Sequence, residues 1–309
     1  ILIIKNLKRK KLYSKISDKF ISFNNYNIFE EIKLLKISKK EIYKLDSKKD
    51  LLKLRYKGIK VGDLIYDTYL RFKDRPTVNL KDPFLIEIFA KIIFAHKILT
   101  KNFSQNYSIS YFTNQLSYIH HGLPARYFLD KKREVKYFGG KASYLSNYRL
   151  NNYWHSHDFR KFPNIFNKLK NKESKIAAAK KLLKDKFGGK IIPQEYSILN
   201  KSAYKDDNKK LKDFKAIIFL HCFVDAPTGR GKCLFNDFYE WTDETLSFLE
   251  QNNLAENIAV KPHPNSRDNS IQTEKEFKKK YPNFIWLDKS VSNKNIFANK
   301  PWLGISAFG

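Results

Sequence analysis

Methionine is absent from this 309-residue sequence, cysteine occurs twice, and acids are outnumbered by lysine and arginine, 31 against 60. Each scarcity excludes something. Cys222 and Cys233 cannot staple a chain of this length, and with no companion ligands at metal spacing they make no zinc site, so a reducing cytosol suits them. No apolar run reaches the roughly 18 to 20 residues that cross a bilayer. Neither a phosphate loop nor a dinucleotide fingerprint is found, and RNA-binding signatures, zinc-finger spacings and basic heptad arrays are missing as well. An initial Ile, the lack of Met and an ending at an unfinished strand read as a fragment.

What is present describes a globular protein. At 42% hydrophobic and 15% aromatic, the chain has material for two domains and a sizeable core. Its net charge of +29 invites a nucleic-acid reading, since clustered cations are rewarded by phosphate backbones. The cations, however, are mostly lysine and lie in nearly every segment, alongside many Asn, Ile, Phe and Tyr, which is the mark of a compositional bias across a proteome. The expected partners are therefore an anionic ligand and an anionic membrane surface met peripherally, and no nucleic acid.

The chain is organised around residues 215–264. An apolar run from Ala216 to Leu220 empties into a polar loop with His221 and Asp225. About forty residues on, a second run, Ile258-Ala-Val260, ends in Lys261-Pro-His263-Pro-Asn265. Residues 237–251 between them have helical amphipathic spacing. Strand, helix, strand is a βαβ unit, and ligands of an open α/β sheet bind beyond the carboxyl ends of its strands. Pro262 and Pro264 stiffen the backbone on both sides of His263.

These residues, with Asp237-Phe-Tyr-Glu-Trp241 at the helix start, resemble the bacterial surface-polysaccharide glycosyltransferases. That family comprises capsule-synthesis enzymes related to Kdo transferases and polysialyltransferases, and more distantly to the glycerophosphotransferases of wall teichoic acid. The resemblance implies an α/β, GT-B-like fold: two Rossmann-like domains with a cleft between them, the carboxyl-terminal one truncated here. It also implies that His263 serves a nucleotide-sugar donor; Lys261, Asn265, His221 and Asp225, at the same two strand ends, are the further donor-binding candidates. A Gly-Thr or Ser-Thr turn followed by glutamate is expected beyond residues 305–309.

Upstream, Gly62-Asp63 and Tyr66-Asp67 precede Arg71. Acids four apart, with an arginine four further on, lie along one helical face, within reach of one another. The same residues resemble the amino-terminal signature of that family. An inverting transfer needs a base for the acceptor hydroxyl, for which Asp67 is the first candidate and Asp63 the second. A helix-start acid and an intrahelical Asp67–Arg71 pair are the ordinary alternative. Arg71, Tyr118, His121 and Arg126 are the acceptor-side candidates; the last three lie in a histidine-containing stretch where the family also has a Tyr, a Gly and an Arg.

The spacing predicts further helices over 83–99, 173–187 and 273–280, and strands over 107–112, 135–138 and 283–287. Residues 141–166 are aromatic, with His155, His157 and Asp158, but the i, i+2 spacing of the histidines does not build a metal site on a helix. The polar stretch 201–213 reads as a linker, dividing an acceptor-side domain, 1–205, from a nucleotide-sugar-binding domain, 211–309.

The expected activity is transfer of a sugar, CMP-linked by preference, from a nucleotide donor to a capsular polysaccharide or its lipid-linked acceptor. No metal or cofactor is required beyond the nucleotide-sugar co-substrate, because cationic groups stabilise the leaving phosphate. The expected place is the cytoplasm or the inner face of the cytoplasmic membrane. Two alternatives stand beside it: a CDP-polyol phosphotransferase, and a non-catalytic basic protein that binds glycan or nucleic acid.

Overall fold

The computed structural model of the chain describes residues 2–4, 14, 20–23, 27–103, 110–138, 145–147, 162–188, 209–230, 234–264, 266 and 268–307. They fall into two compact units, Ile1–Ser156 with Ala226–Asn236, and His157–Asp225 with Asp237–Gly309.

The first unit is built on helices. Helix Ile28–Ile42 starts at Asn27, whose side chain accepts from the Glu30 amide at 2.8 Å, and it carries acids in its first turn and lysines in its last. Ser47 caps the short helix Lys48–Lys53 in the same way. The antiparallel pair Arg55–Tyr56 and Ile59–Lys60 follows, turning through Lys57 and Gly58, both at positive φ. This hairpin delivers the chain into helix Gly62–Lys73, in which every residue from Gly62 to Leu70 is buried. A helix buried all round is normally apolar all round; this one carries Asp63 and Asp67.

Helices Lys48–Lys53, Phe84–Phe103 and Tyr118–Asp130 pack directly on it, together with the 3-10 turn Thr228–Arg230. Two glycines permit the approach. A Cβ on Gly62 would lie 1.7 Å from the Leu51 carbonyl oxygen, and one on Gly122 would lie 2.4 Å from Leu64 Cδ2 and 2.5 Å from the Leu116 oxygen. The core includes Leu64, Ile65, Tyr66, Tyr69, Phe89, Ile92, Leu123 and Tyr127. The strands of this unit are short: Leu2–Ile4 runs parallel to Phe20–Ser22, and Val135–Phe138 pairs parallel with Tyr111–Thr113 and antiparallel with Leu145–Asn147. The helix expected over 83–99 extends to Phe103, and the strand expected over 107–112 runs Tyr111–Thr113.

The second unit contains a four-stranded parallel sheet in the spatial order Ile285–Trp286, Ile258–Lys261, Ala216–Phe219, Leu303–Ser306. Numbered along the chain, that order is 3-2-1-4, the order of a doubly wound sheet through its switch point to the first strand beyond. Strand Ile258–Lys261 is buried at every residue, as a central parallel strand covered on both faces should be. Helices Phe238–Gln251, Asp268–Lys280 and Asn293–Ala298 connect successive strands. Helix Asp268–Lys280 starts five residues before the expected 273, and the strand expected over 283–287 contracts to Ile285–Trp286. Ile218, Leu220, Phe223, Leu246, Val260 and Phe277 form one core cluster, and Ile217, Ala259, Leu287 and Ile296 another. Helices Phe162–Asn167 and Lys172–Phe187 group with this unit. No described helix is long and apolar enough to cross a membrane.

Candidate active site

In the second unit the register of two strands brings two histidines together. Phe219 pairs with Lys261, so the residues two places beyond each, His221 and His263, leave the sheet side by side. Their rings stack at 5.8 Å between centroids, 25° apart in plane. His221 also stacks on Phe238, at 4.0 Å and 16°. Phe238 is held there by a helix start. The side chain of Asp237, itself buried, accepts from the Glu240 amide at 2.9 Å and caps the helix whose first residue is Phe238. His221 Nδ1 lies 3.4 Å from the Cys222 carbonyl oxygen and 3.8 Å from Asp225 Oδ2, which makes an ion pair when the imidazole is protonated.

The turn after His263 is fastened from below. The Ser266 amide donates to the His263 carbonyl at 3.1 Å, closing a turn with Pro264 at its second position, where fixed φ is favourable. Ser266 Oγ lies 2.9 Å from the same oxygen and also hydrogen-bonds Glu274. Glu274 is buried, and burial pushes its carboxyl up while the Ser266 hydrogen bond opposes the rise. Lys261, the last strand residue before the turn, is only 4% exposed. Asn265 lies outside the described residues.

The first unit holds the acids. Arg126 reaches Asp63 with both terminal nitrogens, Nη1 to Oδ1 at 2.6 Å and Nη2 to Oδ2 at 2.7 Å, and Nη1 also donates to the Lys60 carbonyl at 2.6 Å. Burial alone would raise the Asp63 carboxyl, but the charge and hydrogen bonds of Arg126, helped by Lys60, hold it below the usual carboxylate range. The guanidinium expected to serve the acidic pair from within the helix is thus supplied from the next helix but one. Arg126, expected on the acceptor side, is 7% exposed and donates to Asp63 and to the Lys60 carbonyl.

Asp67 is wholly buried. Burial pushes its carboxyl up to about 8; the Thr228 hydroxyl pulls against that, and the charge of Asp63 adds to it. Its hydrogen-bond partner is Thr228, with Oγ1 at 2.6 Å from Oδ2 and the amide at 3.3 Å from Oδ1. Arg71 is half-buried and His121 exposed. Tyr118 starts its helix at a φ of 64° and lies edge-on to exposed Phe72, with centroids 6.0 Å apart. His120 adds a third ring at 5.7 Å from Phe72.

The sequence reading missed Thr228, Phe238 and Glu274. The first is 161 residues from Asp67, beyond any local pattern, whereas Phe238 was accessible as the first helical residue after a capping aspartate. Among the described residues no group of acids, histidines and cysteines is arranged to hold a metal ion. No protein-family model, curated protein or solved structure matches the chain.

Proposed function

We propose that the chain is a glycosyltransferase of GT-B type that moves a sugar from a nucleotide donor to a hydroxyl of a surface polysaccharide or its lipid-linked precursor. The observation that carries this reading is the His221–His263 pair, stacked beyond the carboxyl ends of two neighbouring strands with Lys261 buried beneath. The 3-2-1-4 strand order supports it, because the strand bearing His221 is the one at which the order reverses. In this reading the second unit binds the donor and the first the acceptor.

The chemistry follows from the groups present. The acceptor oxygen forms a bond to the anomeric carbon as the bond to the nucleotide phosphate breaks, and the electron pair leaves with the phosphate. Lys261 and His263 meet the charge that develops there. The acceptor proton passes to a carboxylate. Asp67 suits that task better than Asp63: both Asp63 oxygens are taken by Arg126 and its proton affinity is low, whereas burial pushes Asp67 up to about 8, so that once ionised it takes a proton readily. The exposed ring of Phe72, beside Tyr118 and His120, offers a stacking face for an acceptor sugar.

The test is calorimetric titration of the protein with CMP-, CDP-, UDP- and GDP-linked sugars, with His263→Ala as control. Selective binding of one nucleotide, lost in the variant, supports the donor site and names its class. Binding of none of them overturns the reading.

A further inference from the structure

Asp67 depends on a residue that is not part of its helix. Both of its hydrogen bonds among the described residues come from Thr228, carried by the short turn Thr228–Arg230 that packs on helix Gly62–Lys73. Residues 226–236 belong to the first unit although the chain on either side of them belongs to the second. The segment therefore departs from its sequence neighbours and puts one hydroxyl and one amide against a buried acid.

The hydroxyl can serve both protonation states of that acid. Facing the carboxylate, Thr228 donates twice, from Oγ1 to Oδ2 and from its amide to Oδ1. Facing the protonated acid, Thr228 Oγ1 accepts instead, and its own proton turns to the Asp63 carbonyl oxygen, 3.4 Å away. No heavy atom needs to move between the two arrangements. A group that takes a proton and must later give it up gains from such a partner, since neither state leaves a buried polar atom unsatisfied.

The charged groups bearing on Asp67 are Asp63, one turn earlier on its own helix, and Arg126 from helix Tyr118–Asp130. Lys60 pairs with Asp63. Among the described charged side chains on helices Lys48–Lys53, Phe84–Phe103 and Tyr118–Asp130, Arg126 alone is buried. Arg126 bonds Asp63 and acts on Asp67 through its charge alone, so the hydrogen bonds that counter the burial of Asp67 among the described residues are those of Thr228.

We propose that Thr228 is a positioning residue for Asp67: it orients the buried carboxyl and sets where on the pH scale the acid exchanges its proton. That Asp67 is the base of a sugar transfer rests on the function proposed above, but the coupling of the two residues does not. Thr228→Val keeps the shape and removes the hydroxyl, whereas Thr228→Ser keeps the hydroxyl.

The experiment is a pH titration of the full chain carrying carboxyl-labelled aspartate, followed by NMR, with Asp67→Asn identifying the signal. In Thr228→Val the Asp67 midpoint is expected to rise by about one pH unit, the margin by which a hydrogen bond to a carboxylate exceeds one to the neutral acid, and in Thr228→Ser to stay within about 0.3 of wild type. If the valine variant does not fold, Thr228→Ala serves in its place. An unmoved midpoint in the variant without the hydroxyl overturns the proposal, as does an equal rise in Thr228→Ser. Where a nucleotide sugar is turned over, the acidic limb of kcat/KM should move with the NMR midpoint while donor KM stays constant. Absence of turnover by the wild type counts against the transferase reading and leaves the titration result intact.

Discussion

Asp63 and Asp67 lie one turn apart on the same buried helix, and their proton affinities are driven in opposite directions. The difference comes from their partners. A guanidinium grips both oxygens of Asp63, so its charge is compensated inside the protein. Among the described residues Asp67 takes its hydrogen bonds from the neutral donors of Thr228; burial and the charge of Asp63 raise its carboxyl, and the charge of Arg126 offsets part of that. Two acids in one environment with separated proton affinities are the arrangement by which one fold keeps one carboxylate ionised and another ready to exchange.

Asp67 should lower stability as pH rises. Its folded value, about 8, lies above the ordinary 3.8, so between those limits the unfolded chain releases a proton that the folded chain retains. The folded state binds more protons there, and stability falls with increasing pH by at most about 1.4 kcal/mol per unit. Asp67→Asn removes this slope. Urea midpoints at pH 5 and pH 8 should show the variant gaining on wild type at the higher pH, and an equal difference at both would refute the assignment.

Asp63 has the opposite sign and a different window. Its folded value is depressed, so its contribution is present above the ordinary carboxylate value and is lost as pH falls through the folded one. Removing the partner is costly at neutral pH: Arg126→Ala leaves a buried anion uncompensated and should destabilise by about 3–5 kcal/mol. Pairing it with Asp63→Asn should recover a large part of that loss. A denaturant series on the two single variants and the double decides the matter, and additive losses would show that the pair is not coupled.

Gly122 prepares the ion pair one turn before Arg126. Its missing side chain lets helix Tyr118–Asp130 close on Leu64, and that approach sets Arg126 over Asp63. Gly122→Ala should therefore cost about 1–3 kcal/mol or more through overpacking. Gly62→Ala meets a carbonyl oxygen at 1.7 Å and should be the more damaging of the two. Thermal melts rank them, and a tolerated Gly62→Ala would contradict the packing described.

In the proposed function, Phe238 supports the donor site through the ring of His221 stacked on it. Phe238→Leu keeps an apolar side chain but loses the stacked ring, an interaction of about 0.5–1.5 kcal/mol. Nucleotide-sugar affinity should weaken by about 2- to 12-fold, the equivalent of that range, with the melting temperature little changed. Calorimetry on the variant tests this, and an unaltered affinity would remove His221 from the donor site.

The parts legible in the sequence were those with local causes. Alternation and apolar runs gave the strand at 216–219, the strand at 258–261 and the helix between them, because propensity, capping by Asp237 and burial all agree there. Asp63 and Asp67 were recognised as a pair because helical spacing requires it. Their partners were not, because Arg126 and Thr228 are 63 and 161 residues away and arrive through packing. Arg71, the local guanidinium at helical spacing, is half-buried, whereas Arg126 is the one bound to Asp63. The strand expected over 283–287 and the one expected at the end of the chain are both present, but their limits, Ile285–Trp286 and Leu303–Ser306, are set by pairing with their neighbours and not by a periodic signal.

The placement of residues 226–236 has a consequence for anyone dissecting this protein. The chain changes unit after Ser156, after Asp225 and again after Asn236. No single scission can therefore release both units whole. A fragment beginning at 211 would take Thr228 away from Asp67, and its amino-terminal complement would keep the buried acid without its hydrogen-bond donors. Dividing the molecule by expression requires transplanting the 226–236 loop back onto the first piece and bridging the gap it leaves between Asp225 and Asp237.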